Sequence, residues 1–178
     1  MLSRKASPLR IYVFYSYLSL CMNMVHPVTP TLVHELGFSS LLYSSLSSTL
    51  ALTNFLCAPV WGYYSDRHGR RPVLLVGVVM YACSQFLFSR ATTVPVLLIA
   101  RLCGGIGSAG YITAGLAYIV DVSGPEARGR NLAVFTALTS ISSSFGYLAG
   151  GLLGTISVQT TFFVQLTLLS TCALLGCF

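Results

Sequence analysis

The sequence predicts an all-α integral membrane protein, a bundle of six transmembrane helices. Of its 178 residues, 54% are hydrophobic and only 8% are charged, and its mean hydropathy is +0.77. Soluble domains carry about a quarter charged residues, so this composition indicates a protein embedded in a bilayer. Little chain remains outside the apolar segments, which leaves no room for a separate soluble domain.

Six apolar segments are long enough to cross the hydrocarbon core, which takes about 20 helical residues. They lie at residues 11–33, 41–64, 73–89, 94–120, 132–153 and 160–178, and we name them the first to sixth spans. Turn and helix-breaking residues separate them: Gly37 and Ser39, the run from Asp66 to Pro72, Thr92 and Thr93, and Gly124, Pro125 and Glu126. The third and sixth spans are largely apolar, which favours positions facing lipid.

Basic residues are concentrated on one side of the predicted bundle. Cytoplasmic loops gather Lys and Arg near helix ends, and one side holds Arg4, Lys5, Arg10, Arg67, Arg70, Arg71, Arg128 and Arg130. The other side has only Arg90, so both termini are predicted to face the cytoplasm. The net charge of +6 comes mainly from these tails and loops. It therefore indicates membrane topology and not nucleic-acid binding.

Nothing in the sequence predicts an enzyme, a cofactor or a metal centre. The six cysteines lack metal-ligand spacing, and we expect them to act as small buried hydrophobic side chains. They are Cys21, Cys57, Cys83, Cys103, Cys172 and Cys177. The glycines of the fourth span have no preceding strand and no Lys-Ser/Thr pair, so close helix packing explains them better than a phosphate loop.

A charged turn separates the second and third spans. It runs from Gly62 to Arg71 and reads G-x-x-x-D-R-x-G-R-R. Every fixed position of the cytoplasmic signature between the second and third helices of major facilitator superfamily transporters is matched, so the chain resembles that family. The resemblance implies one half of the major facilitator fold. It also implies transport of a small-molecule substrate by alternating access between two six-helix halves.

The acidic residues near this turn need cationic partners. Asp66 and Asp121 are expected at the C-terminal ends of the second and fourth helices, where the macrodipole disfavours a carboxylate by several tenths of a kcal/mol. The candidate partners are Arg67, Arg70 and Arg71, and Glu126 with Arg128 and Arg130 forms a second candidate cluster. These charges are either solvated, with exposed pairs contributing about 0–1 kcal/mol, or they form a latch that is remade between transport states. The resemblance favours the latch, in which Asp66 engages the neighbouring bundle, Gly62 permits close helix approach and Gly69 a tight turn.

Three further segments are similar to the family. Pro27-Val28-Thr29-Pro30 resembles the end of the first helix in drug exporters, and residues 121–130 resemble the loop after the fourth helix. The fourth-helix pattern of an arginine and spaced small residues is matched by Arg101, Gly104, Gly107 and Gly110. The chain is most similar to tetracycline-efflux-like drug:proton antiporters.

A cleavable signal peptide is the alternative for the basic start, but no A-x-A-like site follows it. We predict that residues 1–10 are a cytoplasmic tail and residues 11–178 the N-terminal six-helix half.

The fifth span departs from the antiporter pattern. Gly146, Gly150 and Gly154 recur every four residues, which predicts close helix packing. Antiporters of the family carry a Gly-Pro pair in this helix, but Gly151 stands at the proline position and Leu138 at an earlier glycine position. We therefore favour proton-coupled export, and the alternative is a uniporter or symporter of a nutrient, such as a sugar or an organic anion.

Four polar residues inside the spans are candidates for a substrate or coupling cavity. Arg101 lies about 10 Å along its helix, where a cation costs several kcal/mol unless it is paired or hydrated. It either snorkels to the outer surface or, as the resemblance implies, lines a cavity and binds an anionic substrate group or a coupling carboxylate. The first span has no acidic residue, so His26 is either the candidate for proton coupling or a plain interfacial residue. Asn23 and Asn54 point between helices or into the cavity.

The chain corresponds to one of the two halves that the resemblance implies, and its sixth span is still apolar at Phe178. We expect a truncated or partial product. The second six-helix half would be a missing C-terminal portion or another chain. A non-transporting membrane protein that binds a full-length partner is the hypothesis of a different class.

Overall fold

A computed structural model describes residues 8–176, which form a bundle of α-helices without a strand. The helices are α1 Pro8–Asn23, α2 Thr29–Glu35, α3 Ser40–His68, α4 Arg70–Arg90, α5 Val94–Val122, α6 Arg128–Ile156 and α7 Val158–Gly176. Single 3-10 turns at His26–Val28 and Pro125–Ala127 precede α2 and α6. The predicted tail is helical from Pro8 onward. Its other residues, 1–7, and residues 177–178 lie outside the described part of the chain.

Four of the predicted spans are continuous helices that are long and apolar enough to cross a membrane. They are Ser40–His68, Arg70–Arg90, Val94–Val122 and the stretch Pro125–Ile156. The sixth span corresponds to a shorter apolar helix, Val158–Leu174. The predicted all-α membrane bundle is therefore confirmed.

The first span is not the single helix that its apolar run predicted. The helix α1 ends at Asn23, and the chain passes through a 3-10 turn before α2 begins at Thr29. Pro27 and Pro30 cause this break, because proline has no N–H to donate and its ring clashes with the carbonyl four residues earlier. The backbone N–H groups of Val28 and Thr29 instead both bond to the Val25 carbonyl, at 3.2 and 3.1 Å.

Side chains from α4 and α7 bind the carbonyls at the end of α1. Gln165 Nε2 donates to the carbonyls of Cys21 and Met22 at 3.0 and 3.3 Å. Tyr81 Oη donates to the Met22 carbonyl at 3.2 Å and accepts from Gln85 Nε2 at 2.7 Å. The three polar side chains are fully buried. The third and sixth spans thus have a polar inner face as well as the apolar outer face that the sequence indicated.

Glycines set the closest helix contacts. A Cβ built on Gly107 of α5 would lie 2.6 Å from the Tyr81 amide nitrogen and 2.8 Å from the Gly77 carbonyl oxygen of α4. Gly104 is also close, with Ser84 Oγ at 2.9 Å, and Gly110 less so, with Gly77 Cα at 3.3 Å. Real Cβ atoms do not approach other atoms so closely, so α4 and α5 pack backbone against backbone only because these positions carry no side chain.

The three glycines of α6 pack against the broken first span. Cβ atoms on Gly146, Gly150 and Gly154 would overlap the Leu20 carbonyl, the Met24 carbonyl and the Val28 side chain, respectively. The small-residue face of α6 therefore lies directly on the end of α1 and the turn that follows. Gly151, the next residue of α6, faces open space.

The helices differ in how much of their surface is covered. In an 18-residue apolar stretch of α5, 50% of the residues are buried, compared with 6% in a stretch of the same length in α3 and 11% in one within Pro125–Ile156. Large apolar side chains project from the uncovered faces: Leu52, Phe55, Leu56 and Val60 of α3, and Ile141, Phe145, Leu148 and Leu152 of α6.

Of the described cysteines, Cys21 and Cys172 are buried but Cys83 is exposed, so the expectation of buried cysteines was wrong for Cys83. Its position on the outer face of α4 explains its exposure.

Gly150→Ala should destabilise the protein by about 1–3 kcal/mol, because the added methyl group overlaps the Met24 carbonyl and forces α6 away from the first span. Gly151→Ala is the matched control and should be neutral or slightly stabilising. Unfolding in mixed micelles titrated with SDS measures both. Equal midpoints for the two variants would contradict the packing described here.

Tyr81→Phe should cost about 1–3 kcal/mol, because it removes the hydroxyl that bonds the Met22 carbonyl and leaves Gln85 without its buried acceptor. Tyr64→Phe is the control, since Tyr64 is an exposed tyrosine on α3. The same SDS titration applies. If Tyr81→Phe unfolds together with the control, the hydroxyl does not stabilise the end of α1.

Candidate functional site

The charged turns of the chain lie together at one end of the bundle. The C-terminal ends of α3 and α5 and the N-terminal ends of α4 and α6 meet there, because consecutive helices alternate in direction. The beginning of α1 is also at this end, since Tyr12 Oη donates to the Asn131 carbonyl at 3.5 Å. Asn131 in turn donates to Ser123 Oγ at 2.8 Å.

Arg70 joins two carboxylates at this end of the bundle. Its Nη1 lies 2.5 Å from Asp66 Oδ1, and its Nε lies 2.7 Å from Asp121 Oδ2. Nη1 also donates to Ser65 Oγ at 3.1 Å. A guanidinium can bind two carboxylates at once because its donors form a planar fork. The cluster of Asp66, Arg70 and Asp121, which we call the charged cluster, therefore connects α3, α4 and α5.

Helix dipoles explain why these three residues come together. Asp66 and Asp121 lie in the last turns of α3 and α5, where the partial charge of the helix end is negative, and Arg70 is the first residue of α4, where it is positive. Each charge alone sits at an unfavourable helix end, and each is offset by its neighbours. The carboxylate side chains are 68% and 51% exposed, so each pair contributes only about 0–1 kcal/mol.

The structure corrects several details of the predicted latch. The helix α3 continues to His68, four residues beyond the predicted second span, so Asp66 lies in its last turn. Arg67 stacks over the Tyr63 ring, 4.3 Å from its centroid, and does not join the charged cluster. Arg71 is exposed at the second position of α4.

The glycines of the signature differ in their roles. Gly69 has φ +91°, a conformation that favours glycine, and forms the tight turn between α3 and α4. A Cβ on Gly62 would meet only Thr113 Cγ2, at the ordinary contact distance of 3.7 Å. Among the described residues, no helix therefore approaches Gly62 as closely as predicted.

The second predicted cluster is not formed. Within residues 8–176, Glu126 makes no ion pair with Arg128 or Arg130, and all three side chains are exposed. Glu126 lies in the 3-10 turn and the arginines begin α6, so short sequence separation alone did not bring them into contact.

A small polar cavity lies deeper in the bundle, between the first span, α3 and α5. It has a volume of about 60 Å³ and is lined by His26, Thr29, Tyr43, Ser47, Leu50 and Arg101. Arg101 is 4% exposed, so it does not snorkel to the outer surface. Its side chain faces inward.

The contacts of Arg101 leave much of its charge uncompensated. Its guanidinium carbon lies 3.9 Å from the centroid of the Phe88 ring, which is a cation–π contact. Nη2 donates a long hydrogen bond of 3.4 Å to Thr29 Oγ1. Nε is buried and has no hydrogen-bond partner. From the sequence, Thr29 was named only as part of the segment from Pro27 to Pro30, and the sequence gives no sign that Thr29, Tyr43 and Ser47 surround Arg101.

The other predicted cavity residues mainly join helices. Asn23 donates to Ser19 O and Ser143 Oγ at 2.8 and 3.0 Å, and Asn54 donates to Ser108 Oγ at 2.7 Å. Of the four predicted residues, only His26 and Arg101 line the same cavity. The His26 ring also packs against Tyr147 of α6, with a centroid distance of 5.8 Å.

Comparison with known proteins identifies the family. The model of the Major Facilitator Superfamily matches residues 11–178. The chain belongs to the major facilitator superfamily. As a member of this superfamily with several apolar membrane-length helices, it is a multi-pass membrane protein.

Several curated members of the superfamily are similar in sequence. The class C tetracycline resistance protein of Escherichia coli is 36% identical over 88% of this chain and 40% of its own length. Multidrug resistance protein 1 of Bacillus subtilis is 30% identical over 85% of this chain and 38% of its own length. The quinolone resistance protein NorA of Staphylococcus aureus is 26% identical over 86% and 40%, respectively. The chain thus spans about 40% of the length of these relatives.

A solved structure shows the same fold in a major facilitator protein. The human organic anion transporter MFSD10 (TETRAN) matches with a TM-score of 0.74 and 24% identity. The match covers 97% of this chain and 48% of that protein. The described helices therefore have the arrangement of about half of a major facilitator transporter.

A double-mutant cycle tests the charged cluster. Arg70→Gln and Asp121→Asn should show a coupling free energy of about 0.5–1 kcal/mol that falls with added salt, because the partners are partly exposed. Arg67→Gln with Asp121→Asn is the matched control and should show none. Unfolding midpoints at low and high salt provide the measurement. Equal coupling in both cycles would mean that the effect is general charge and not the Arg70 contact.

Proposed function

We propose that this chain is the N-terminal six-helix half of a transporter that moves a small organic solute across a membrane by alternating access. Its superfamily membership supports transport. Because the chain spans about 40% of its relatives' length, a second six-helix half is needed to complete the substrate path. The apolar faces of α3 and α6 are the surfaces available to that half.

Proton-coupled efflux is the form of transport that we favour. The similar proteins include a tetracycline resistance protein, a multidrug resistance protein and a quinolone resistance protein. A small organic compound is therefore the substrate class proposed for this chain.

The observation that carries the proposal is the charged cluster of Asp66, Arg70 and Asp121. It connects three helix ends through one guanidinium, while Asp66 remains 68% exposed on the sparsely covered helix α3. Such weak, exposed contacts can be broken and remade at little cost, which suits an element that changes between two states. We propose that the second half contacts Asp66 in one transport state, and that in the other state Asp66 binds only within this half, to Arg70.

We place the charged cluster and both termini on the cytoplasmic side. The described residues at that end include Arg10, Arg67, Arg70, Arg71, Arg128 and Arg130. The opposite end has Arg90. This asymmetry is the one that orients membrane proteins with basic loops inside.

The cavity around Arg101 is proposed as part of the substrate and coupling path. Its volume of about 60 Å³ is well below the roughly 300–1,000 Å³ of ordinary ligand sites. A substrate would therefore need space between α3, α6 and the second half. Within that space Arg101 would supply positive charge, and His26 is the titratable group beside it.

A uniporter or symporter of a nutrient, such as a sugar or an organic anion, is the second candidate. None of the lining residues of the cavity is acidic, and the first span holds no coupling carboxylate that Arg101 could bind. A uniporter or symporter would not need one. The complete protein should be reconstituted in proteoliposomes and tested on a panel of drugs, sugars and organic anions, with and without a pH gradient. Efflux of a drug that disappears without the gradient supports the antiporter. Uptake of a sugar or an organic anion, with or without dependence on the gradient, supports the second candidate.

Asp66→Asn in the complete protein should slow transport at least fivefold, about 1 kcal/mol of coupling, while leaving membrane insertion intact. The reason is that the amide loses its charged contacts without changing an apolar span. Glu126→Gln removes an exposed carboxylate on the same side and should transport normally. The measurement is the initial transport rate of each variant in proteoliposomes. A normal rate for Asp66→Asn would contradict the proposed role of Asp66 in the latch.

A further inference from the structure

We infer that the cavity around Arg101 binds a small monovalent anion of halide size, which supplies the negative charge that the protein lacks there. This inference deepens the role proposed above for Arg101 and rests on it. The bound anion would be a resident of this half of the protein, present without substrate and without a second half.

The described contacts of Arg101 do not compensate its charge. The side chain is 4% exposed, and a buried cation is costly unless an opposite charge or hydrogen bonds compensate it. Of the described contacts, one is a cation–π contact with Phe88 and one is a hydrogen bond of 3.4 Å to Thr29. Nε–H is buried without any partner.

No carboxylate of the described residues lines the cavity. The chain has four acidic residues, Glu35, Asp66, Asp121 and Glu126, and none of them is among the lining residues. Asp66 and Asp121 are bound to Arg70 at the other end of α5, and Glu126 is in the turn that follows it. The charge of Arg101 is therefore not compensated by a carboxylate of the described chain.

The cavity walls carry hydroxyl groups. The half-buried Tyr43 and the exposed Ser47 both line the cavity, and neither hydroxyl makes a hydrogen bond within residues 8–176. Together with the Arg101 guanidinium they offer O–H and N–H donors. The Thr29 hydroxyl already donates to the Val25 carbonyl at 2.9 Å, so it is an acceptor for Arg101. Free donors around a cation are suited to an anion.

The cavity is small. Its volume of about 60 Å³ is well below the roughly 300–1,000 Å³ of sites that enclose a drug-sized ligand. It therefore suits a small ion and not a whole organic substrate. The carboxylate of an organic substrate could reach in only if the rest of the molecule lay outside, so the free anion and the substrate carboxylate are separable by experiment.

The test measures halide binding at equilibrium, with the purified protein in lipid nanodiscs at a fixed pH and without substrate. Chloride replaces gluconate at constant ionic strength, and thermal unfolding and ³⁵Cl NMR line broadening are followed. We expect a saturable rise in unfolding temperature and a saturable broadening. Because neither readout requires transport, the result is independent of whether the proposed transport is found.

Variants locate the anion. Arg101→Gln should weaken chloride binding roughly tenfold or more, since hydrogen bonds to a charged group are involved. Tyr43→Phe keeps Arg101 and should weaken binding several-fold, which preserves the test if Arg101→Gln does not fold. Arg90→Gln removes an exposed arginine at the end of α4 and should bind chloride like the unaltered protein.

Three results would overturn the inference. The first is identical unfolding in chloride and gluconate, which would mean that only water hydrates Arg101. The second is a chloride response that persists undiminished in Arg101→Gln or in Tyr43→Phe. The third is stabilisation by acetate, titrated in the same way, without stabilisation by chloride, which would reject the halide and favour a substrate carboxylate in the cavity.

Discussion

Hydrocarbon offers no hydrogen-bond partner to a free backbone group. The backbone carbonyls that the break in the first span leaves unpaired must therefore be bound by side chains of other helices. Pro27 and Pro30 prevent α1 from continuing. The carbonyls at its end are bound by Tyr81 of α4 and Gln165 of α7. A break of this kind is stable only when the surrounding helices are fixed in place, so the packing of α4 and α7 and the shape of the first span depend on each other.

Close helix packing follows from the same constraint. The glycines of α6 bring its backbone against Leu20 and Met24, at the residues where α1 ends. The glycines of α5 do the same against α4 and so hold Tyr81 in position. Packing of this kind replaces the hydrophobic effect, which does not distinguish one apolar helix face from another inside lipid. A methyl group at such a position therefore moves a helix and also disturbs the hydrogen bonds at the break.

The sequence predicted the number and type of the spans because length and hydropathy are local properties. It did not predict the break, because whether a carbonyl remains unsatisfied depends on partners such as Tyr81 and Gln165, 59 and 143 residues away from Met22. At the charged end, the sequence offered three arginines for two carboxylates. Arg70 is the partner because the turn at Gly69 directs it toward both, while Arg67 lies against Tyr63. The prediction that Glu126 pairs with Arg128 and Arg130 was wrong, because closeness in sequence does not determine the direction in which a side chain points.

The helix α3 links the two polar regions of the molecule. Tyr43 and Ser47 lie near its start, at the Arg101 cavity, and Asp66 lies in its last turn, in the charged cluster. At about 1.5 Å per residue, the 23 residues between Tyr43 and Asp66 span roughly 35 Å. Pro59 interrupts the hydrogen bonding between them, so this is the position where α3 bends most easily. The helix α3 is also the least covered long helix. An arginine without a carboxylate among the described residues lies beside one end of it, and a weak, exposed charged cluster lies at the other.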